Sequence, residues 1–348
     1  MDTMAGWEGE ELAAWHDRRT GAWTMVAIHS TALGPAVGGT RIGQYESADR
    51  ALTDVLRLAQ GMTFKTAVAG LPCGGGKAVI SIPPAISDAD RRRLLLRYAE
   101  FVESLGGRFV TGPDMNTGQD DMDLIGRVTE HVFCRSPQAG GSGSASPWTA
   151  MGVFHGIRAS VRQVFATDDL IGLRVVVQGV GEVGAKLARL LHSAGARVVL
   201  SDVAHERVSA LVAELETAEF VAPELALVVD CDVISPCAMG AVVNERSVAQ
   251  LRCRIVAGAA NNQLATAEDG ERLRRRGILY APDYVINAGG IIRGVGAETL
   301  HWTDSEIDRR VEAIGETLRE IYSQADSRSI PTDEAARGLA EEALLAAA

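Results

Sequence analysis

A glycine-rich turn set between an apolar run and a helical pattern constrains this chain more than any other feature. Residues 174–178 read RVVVQ, and Gly179, Val180, Gly181, Glu182, Val183 and Gly184 follow at once. The spacing predicts a helix over 182–193, after which RVVLSD makes a second apolar run ending on Asp202. A G-x-G-x-x-G turn after a strand and before a helix, with an acid closing the next strand, is the fingerprint of a dinucleotide-binding βαβ unit. Glycines let backbone approach a pyrophosphate, and the helix N-terminus meets its charge. Asp202, 18 residues past Gly184, would accept hydrogen bonds from ribose hydroxyls and repel a 2′-phosphate, which favours NAD over NADP.

The rest of the second half extends that unit. The runs CDVIS (231–235), RIVAGA (254–259) and GILYA (277–281) alternate with helical spacers, the pattern of a parallel sheet covered on both faces. This half is therefore expected to be doubly wound α/β, a Rossmann domain. The first half mixes strand-like runs at 23–29, 77–82 and 108–111 with helices. Ala51, Leu52, Val55, Leu56, Ala59 and Met62 recur at steps of three and four, as do Leu94, Leu95, Tyr98, Phe101, Val102 and Leu105. Two glycine-dense patches, GPAVGGTR and LPCGGGK, read as loops beside strands. The small, polar GGSGSASP (140–147) reads as a hinge. The expected domains are 1–148, catalytic, and 149–326, cofactor-binding, with a final helix 327–348 returning to the first. Thr303 with Glu306 marks a helix start, and Pro331 a break before the Ala-rich end.

Composition narrows the partners. With 34 Lys and Arg against 45 Asp and Glu, a net charge of −11 among 348 residues argues against nucleic acid. No run approaches a membrane span, and the opening MDTMAGWEGEEL lacks the apolar core of a leader peptide. Five cysteines without a C-x-x-C pair suit reduced thiols and a cytoplasmic location. The seven histidines show no ligand spacing, so no metal is expected, and no G-x-S-x-G is present. GGGK at 74–77 is not a phosphate loop, because Leu71 and Ala78 stand where Gly and Ser or Thr are required. An exposed turn lysine is the plainest reading of it. Lys65, Lys77 and Asp114 together make a better case for chemistry. A lysine half-buried among glycines loses hydration and its pKa falls toward neutrality, while a neighbouring carboxylate pulls the other way and holds it in place.

The motifs LGPAVGGTR, GMTFK, GGGKAVI, TGPDMNT, QGVGEVG, PCAMG, AGAANNQ and APDYVINAGG, in this order along nearly the whole chain, resemble the glutamate, leucine, phenylalanine and valine dehydrogenase family. The resemblance is closest to its bacterial phenylalanine dehydrogenases. It implies NAD-dependent, reversible oxidative deamination of an L-amino acid, a catalytic first domain, a cofactor-binding second one, a cleft that closes on substrate, and a homo-oligomer. By the same resemblance Lys65 grips the substrate carboxylate, Lys77 activates the water that attacks the iminium carbon, and Asp114 exchanges protons with the substrate nitrogen. Gly38, Gly39 and Pro113 would meet substrate, and Asn261 would face both substrate and nicotinamide. Cofactor contacts would come from Arg41, Asp114, Thr149, the turn from Gly179 to Gly184, Asp202, Arg207, Cys237, Ala238, Met239, Ala259, Ala260, Asn261 and Asn287.

Substrate choice would rest on Val37, Gly112, Ile291 and Gly294. The two glycines stand where branched-chain members carry Ala and Val, so their missing methyls would make room for a ring, although Val37 and Ile291 are bulky. L-phenylalanine, giving phenylpyruvate, is the expected substrate; leucine, valine or another aromatic amino acid is the alternative. A non-catalytic NAD-binding protein would be marked by the loss of Lys65, Lys77 or Asp114, and all three are present.

Overall fold

The computed structural model describes residues 6–347. By its contacts the chain divides into two units. One holds the chain through Ser144, Gly294–Trp302 and the stretch from Ala340; the other holds Ala145–Arg293 and Thr303–Leu339. The first border thus falls ahead of residue 148, because the helix after the glycine- and serine-rich stretch already starts at Ser146 with Pro147 in its first turn. The stretch joining the first unit at the end begins at 340 rather than 327.

In the first unit, β1 (Glu11–Asp17), β2 (Ala22–Ser30), β3 (Ala36–Gly43), β4 (Gly74–Ser81) and β5 (Phe109–Pro113) form a mixed sheet in the order β1-β2-β4-β3-β5. Pairing is antiparallel for β1 with β2 and β2 with β4, and parallel for β3 with both β4 and β5. Three helices accompany it: α1 (Ala48–Val68), α2 (Asp88–Ser104) and α3 (Gln119–Ile125). Ser47 and Ser87 cap α1 and α2, each accepting a hydrogen bond from a backbone N–H in the first turn. α1 runs past the expected Met62 because Thr63, Thr66 and Ala67 continue its buried stripe.

Both glycine-dense patches are strands, β3 and the start of β4, rather than loops. Strand alternation gives the sheet two different faces. Ala36, Ile42, Ala78, Ile80 and Phe109 pack with Leu94, Leu95, Tyr98 and Val102 of α2 in a closed core. There the Tyr98 hydroxyl is shared with Thr40 Oγ1 at 2.6 Å and Thr111 Oγ1 at 2.9 Å. On the other face Met25, Ala27 and Val79 meet Ala51, Val55, Leu56 and Ala59 of α1.

The second unit begins with α4 (Ser146–Phe165) and is built on β6 (Arg174–Gln178), β7 (Arg197–Ser201), β8 (Glu219–Phe220), β9 (Val233–Pro236), β10 (Ile255–Val256) and β11 (Leu279–Tyr280). All pairs are parallel, in the order β11-β10-β9-β6-β7-β8. This is the doubly wound order, which reverses between β6 and β9, where such sheets bind ligands at their carboxyl ends. Between the strands run α5 (Glu182–Ser193), as the spacing predicts, α6 (His205–Glu214), α7 (Glu245–Gln250) and α8 (Glu268–Arg275). α9 (Asp283–Ile286) and α10 (Gly289–Glu298) follow, the division between units falling within α10. Thr303 Oγ1 accepts from the Glu306 N–H to open α11 (Asp304–Glu312), which gives way to α12 (Ile314–Arg328) at Ala313, and α13 (Thr332–Ala347) comes last.

Candidate active site

The face of the first sheet turned toward α1 carries the polar groups. Val37, Gly39 and Arg41 of β3 share it with Gly75, Lys77 and Val79 of β4. Lys77 is 4% exposed, and its Nζ donates to Asp114 Oδ2 in a close ion pair. Asp114 Oδ1 accepts from Arg41 Nε at 2.9 Å and from the Met115 N–H at 2.6 Å. Burial alone would raise this carboxyl's pKa, but the charges of Lys77 and Arg41 outweigh it and hold Asp114 well below the usual carboxylate range. Its backbone is fixed as well: the Asp114 N–H donates to Thr117 Oγ1 at 2.8 Å, and that hydroxyl donates to Thr40 O at 2.8 Å.

Arg41 extends the chain of charges, reaching Asp54 Oδ2 of α1 at 3.0 Å, and the same oxygen accepts from the Tyr45 hydroxyl at 2.7 Å. Two cations and two carboxylates thus alternate in a partly buried, neutral row, the condition under which buried charge is tolerated. The resemblance gives Arg41 to the cofactor; here its guanidinium is engaged by two carboxylates of its own unit. Asp54 and Tyr45 escaped the sequence reading, since nothing in the helical pattern of α1 distinguishes a solvated acid from one that turns toward a strand. Lys65 sits half-buried in the last turn of α1, the helix covering this face. A Cβ on Gly75 would run into Thr63, two residues before it.

The paired glycines of β3, one on each face of the sheet, lack side chains for a structural reason. A Cβ on Gly38 would fall on the carbonyl of Gly76; one on Gly39 would lie 2.6 Å from Pro113 O and 2.9 Å from Asp114 Cβ. Gly39 therefore seats the acid against β3. Val37 is buried in β3 and Ile291 in α10.

Gly112 and Gly294 overturn the expectation of open room for a substrate ring. A Cβ on Gly112 would lie 2.5 Å from Phe133 Cε2 and 2.9 Å from Cε1, and one on Gly294 would lie 2.7 Å from Phe133 Cδ2 and 3.1 Å from Cys134 Sγ. The space both glycines leave is filled by Phe133, which is 6% exposed. Its backbone N–H donates to Thr111 O at 2.9 Å. The next N–H, of Cys134, donates to Glu298 Oε1 at 2.7 Å, and Ser142 N–H donates to the same oxygen at 2.8 Å. In sequence Phe133 lies in a short apolar run, VFC, like any buried connection.

In the second unit the strand-end loops gather where the strand order reverses. The Cys237 N–H donates to Gln178 O at 2.7 Å, and a Cβ on Gly179, whose φ is +98°, would lie 2.9 Å from Ala238 N. Ala260 N–H donates to Pro236 O at 2.9 Å, and a Cβ on Gly240 would lie 2.6 Å from Asn261 O. Asn287 Nδ2 donates to Ala259 O at 3.0 Å and Asn261 Oδ1 at 2.8 Å. A Cβ on Gly290 would lie 2.5 Å from Thr149 Oγ1. Asp202 Oδ2 accepts from Val180 N–H at 2.7 Å and Oδ1 from Ala204 N–H at 2.8 Å, so this acid holds the glycine turn and keeps lone pairs for a further donor. Glu182 pairs with Lys186 at 2.7 Å, while Arg207 and Met239 are exposed. Val180 is buried and Val183 half-buried.

These residues fit a dinucleotide. Among the described residues nothing lies within 4 Å of where a Gly181 Cβ would stand, although a Cβ on Gly184 would fall on Gly179 O. The buried Asn287 Oδ1 has no hydrogen-bond partner among them, and α5 opens at Glu182 with no side-chain cap.

Comparison with known proteins agrees with both halves. The chain matches the Glu/Leu/Phe/Val dehydrogenase dimerisation domain over residues 17–131. It matches the glutamate/leucine/phenylalanine/valine dehydrogenase model over 140–204 and 200–348. It is 41% identical over 343 residues to leucine dehydrogenase of Thermoactinomyces intermedius, covering 98% of this chain and 92% of that one. It is 42% identical over 336 residues to valine dehydrogenase of Streptomyces virginiae, covering 96% and 93%. The solved structure of L-tryptophan dehydrogenase from Nostoc punctiforme superposes with a TM-score of 0.82 at 37% identity, over 99% of this chain and 98% of that one. NAD is the usual cofactor of these enzymes. With matching models across both halves and relatives above 40% identity along nearly its full length, the chain belongs to the Glu/Leu/Phe/Val family of amino-acid dehydrogenases, oxidoreductases acting on the CH–NH2 group of donors.

Proposed function

We propose that the chain catalyses the NAD-dependent, reversible oxidative deamination of a branched aliphatic L-amino acid, leucine or valine, to its 2-oxo acid and ammonia. The observation that carries the chemistry is the buried Lys77 on Asp114, with Arg41 on the acid's other oxygen. The names of the leucine and valine relatives and the filled space at Gly112 and Gly294 favour an aliphatic substrate over phenylalanine. Tryptophan is the second reading, because the tryptophan dehydrogenase structure matches over the whole chain.

Bound NAD supplies the hydride acceptor. Lys65 holds the substrate carboxylate as a point charge. Asp114, ionised by its two cations, accepts a proton from the substrate ammonium, and Lys77 activates the water that attacks the iminium carbon. Water and NAD are consumed; the 2-oxo acid, ammonium, NADH and one proton are released. The turn from Gly179 to Gly184, Asp202, Thr149, Cys237 to Met239, Ala259 to Asn261 and Asn287 would hold the cofactor. We place the enzyme in the cytoplasm as a homo-oligomer, in keeping with the description of the first matching model as a dimerisation domain. Among the described residues no helix is long and apolar enough to cross a membrane.

NAD reduction at alkaline pH with leucine, valine, tryptophan, phenylalanine and glutamate tests this reading. Lys77→Ala is expected to lower kcat by roughly 10²- to 10⁴-fold while NADH still binds. Retention of the wild-type rate, or no reduction with any amino acid, would overturn it.

A further inference from the structure

Phe109 and Thr111 face the closed core with Tyr98. The alternation of β5 therefore turns Gly112 to the opposite face, the one on which Asp114 meets Lys77 and Arg41. Gly112 precedes Asp114 by two positions, a span of roughly 7 Å along a strand. A substrate whose amino nitrogen rests on Asp114 starts its side chain two bonds away, so a strand repeat from the acid is where that side chain ends. The group at Gly112, one strand repeat from the acid, is the Phe133 ring, which lies against Gly112 from one side and against Gly294 of α10 from another. Its backbone is pinned by Thr111 O, and the next residue by Glu298. A ring bracketed by two glycine backbones in a close-packed site has little freedom to swing away.

We infer that Phe133 is a specificity-determining residue: its ring is the end wall of the side-chain pocket and limits the substrate to the size of an isobutyl group. This rests on the amino-acid dehydrogenase reading above and adds the residue that sets its size limit. The glycines at 112 and 294 accommodate the protein's own phenyl group, so the pocket is aromatic-lined without being aromatic-selective. Removing the ring should do what the two glycines do not, and open room for a second ring.

The test compares kcat/KM for phenylalanine and leucine in the wild type, Phe133→Ala, Phe133→Leu and Phe133→Ala/Gly294→Val. The phenylalanine-to-leucine ratio is expected to rise about tenfold or more in Phe133→Ala and roughly threefold in Phe133→Leu, the scale of one or two methylenes in an apolar pocket. In the double variant valine refills the space and the ratio returns toward the wild type. Phe133→Leu keeps most of the packing and decides the question should Phe133→Ala fail to fold. A ratio unchanged in every soluble variant, or a wild type that already prefers phenylalanine, overturns the inference. A wild type idle with every amino acid fails the underlying reading instead, and takes this inference with it.

Discussion

At Gly181, in the turn after β6, nothing among the described residues comes within 4 Å of where a Cβ would stand, whereas at Gly112 and Gly294 the same point falls against the ring of Phe133. The two regions look alike in sequence, small residues at places the family resemblance gives to ligands, and they differ in what fills the omitted volume. In the second unit the omission keeps backbone N–H groups accessible at a helix start, which is how such turns meet phosphate. In the first it lets a distant side chain of the same protein settle. A missing methyl therefore gives room to a ligand only when no other residue has moved into it. Gly270 is a third case: a Cβ there would lie 2.9 Å from Asp333 Cγ, so a carboxyl occupies the space.

The comparison can be broken most directly at Gly184. A side chain there must displace the Gly179 carbonyl, so Gly184→Val should cost about 3 kcal/mol and abolish NADH binding. Urea unfolding and NADH fluorescence read both, and an unchanged transition would remove close backbone packing as the reason for this glycine.

Asp333 gives the next largest effect. Burial raises its carboxyl from 3.8 to about 6, and its Oδ1 has no hydrogen-bond partner among the described residues. The folded chain then binds this proton more tightly than the unfolded one, so stability falls as pH rises from about 4 to about 6 and stays lowered above that. Asp333→Asn should flatten this dependence and gain up to about 2 kcal/mol at pH 7. Identical melting-temperature profiles for the two proteins across pH 4 to 7 would exclude it.

The smallest effect on folding belongs to Gly181. Gly181→Ala should change stability by less than about 0.5 kcal/mol, yet weaken NADH binding severalfold by pushing a methyl toward the pyrophosphate. Equal affinity for both proteins would make the open space at Gly181 incidental.

What could be read from the sequence followed from local rules. The α5 boundaries, the parallel runs and the cap at Thr303 are set by periodicity and by neighbours three or four residues away, and α5 spans the residues its spacing predicts. The glycine-dense strands β3 and β4 are harder to read, because glycine is a poor strand former and is used here for what lies close against the strand, such as the Gly76 carbonyl facing Gly38 and Thr63 of α1 facing Gly75. Lys77, Asp114 and Arg41 each lie in a motif, but nothing in the sequence pairs them with one another or with Asp54. Arg41 and Asp54 meet only after β3 and α1 have packed. Phe133 was beyond reach for the same reason, since its place is defined by two glycines 182 positions apart.

The grip of Glu298 on the backbone of Cys134 and Ser142 bears on recombination with relatives. A chimera with a single crossover near residue 144 would bring the first part of the chain from one parent and the α10 carboxylate from another. The segment that steadies Phe133 would then depend on whether the second parent happens to supply an acid at position 298. Exchanging 294–302 together with the N-terminal stretch keeps that clamp within one parent, so productive grafts of the first unit take two pieces of gene rather than one.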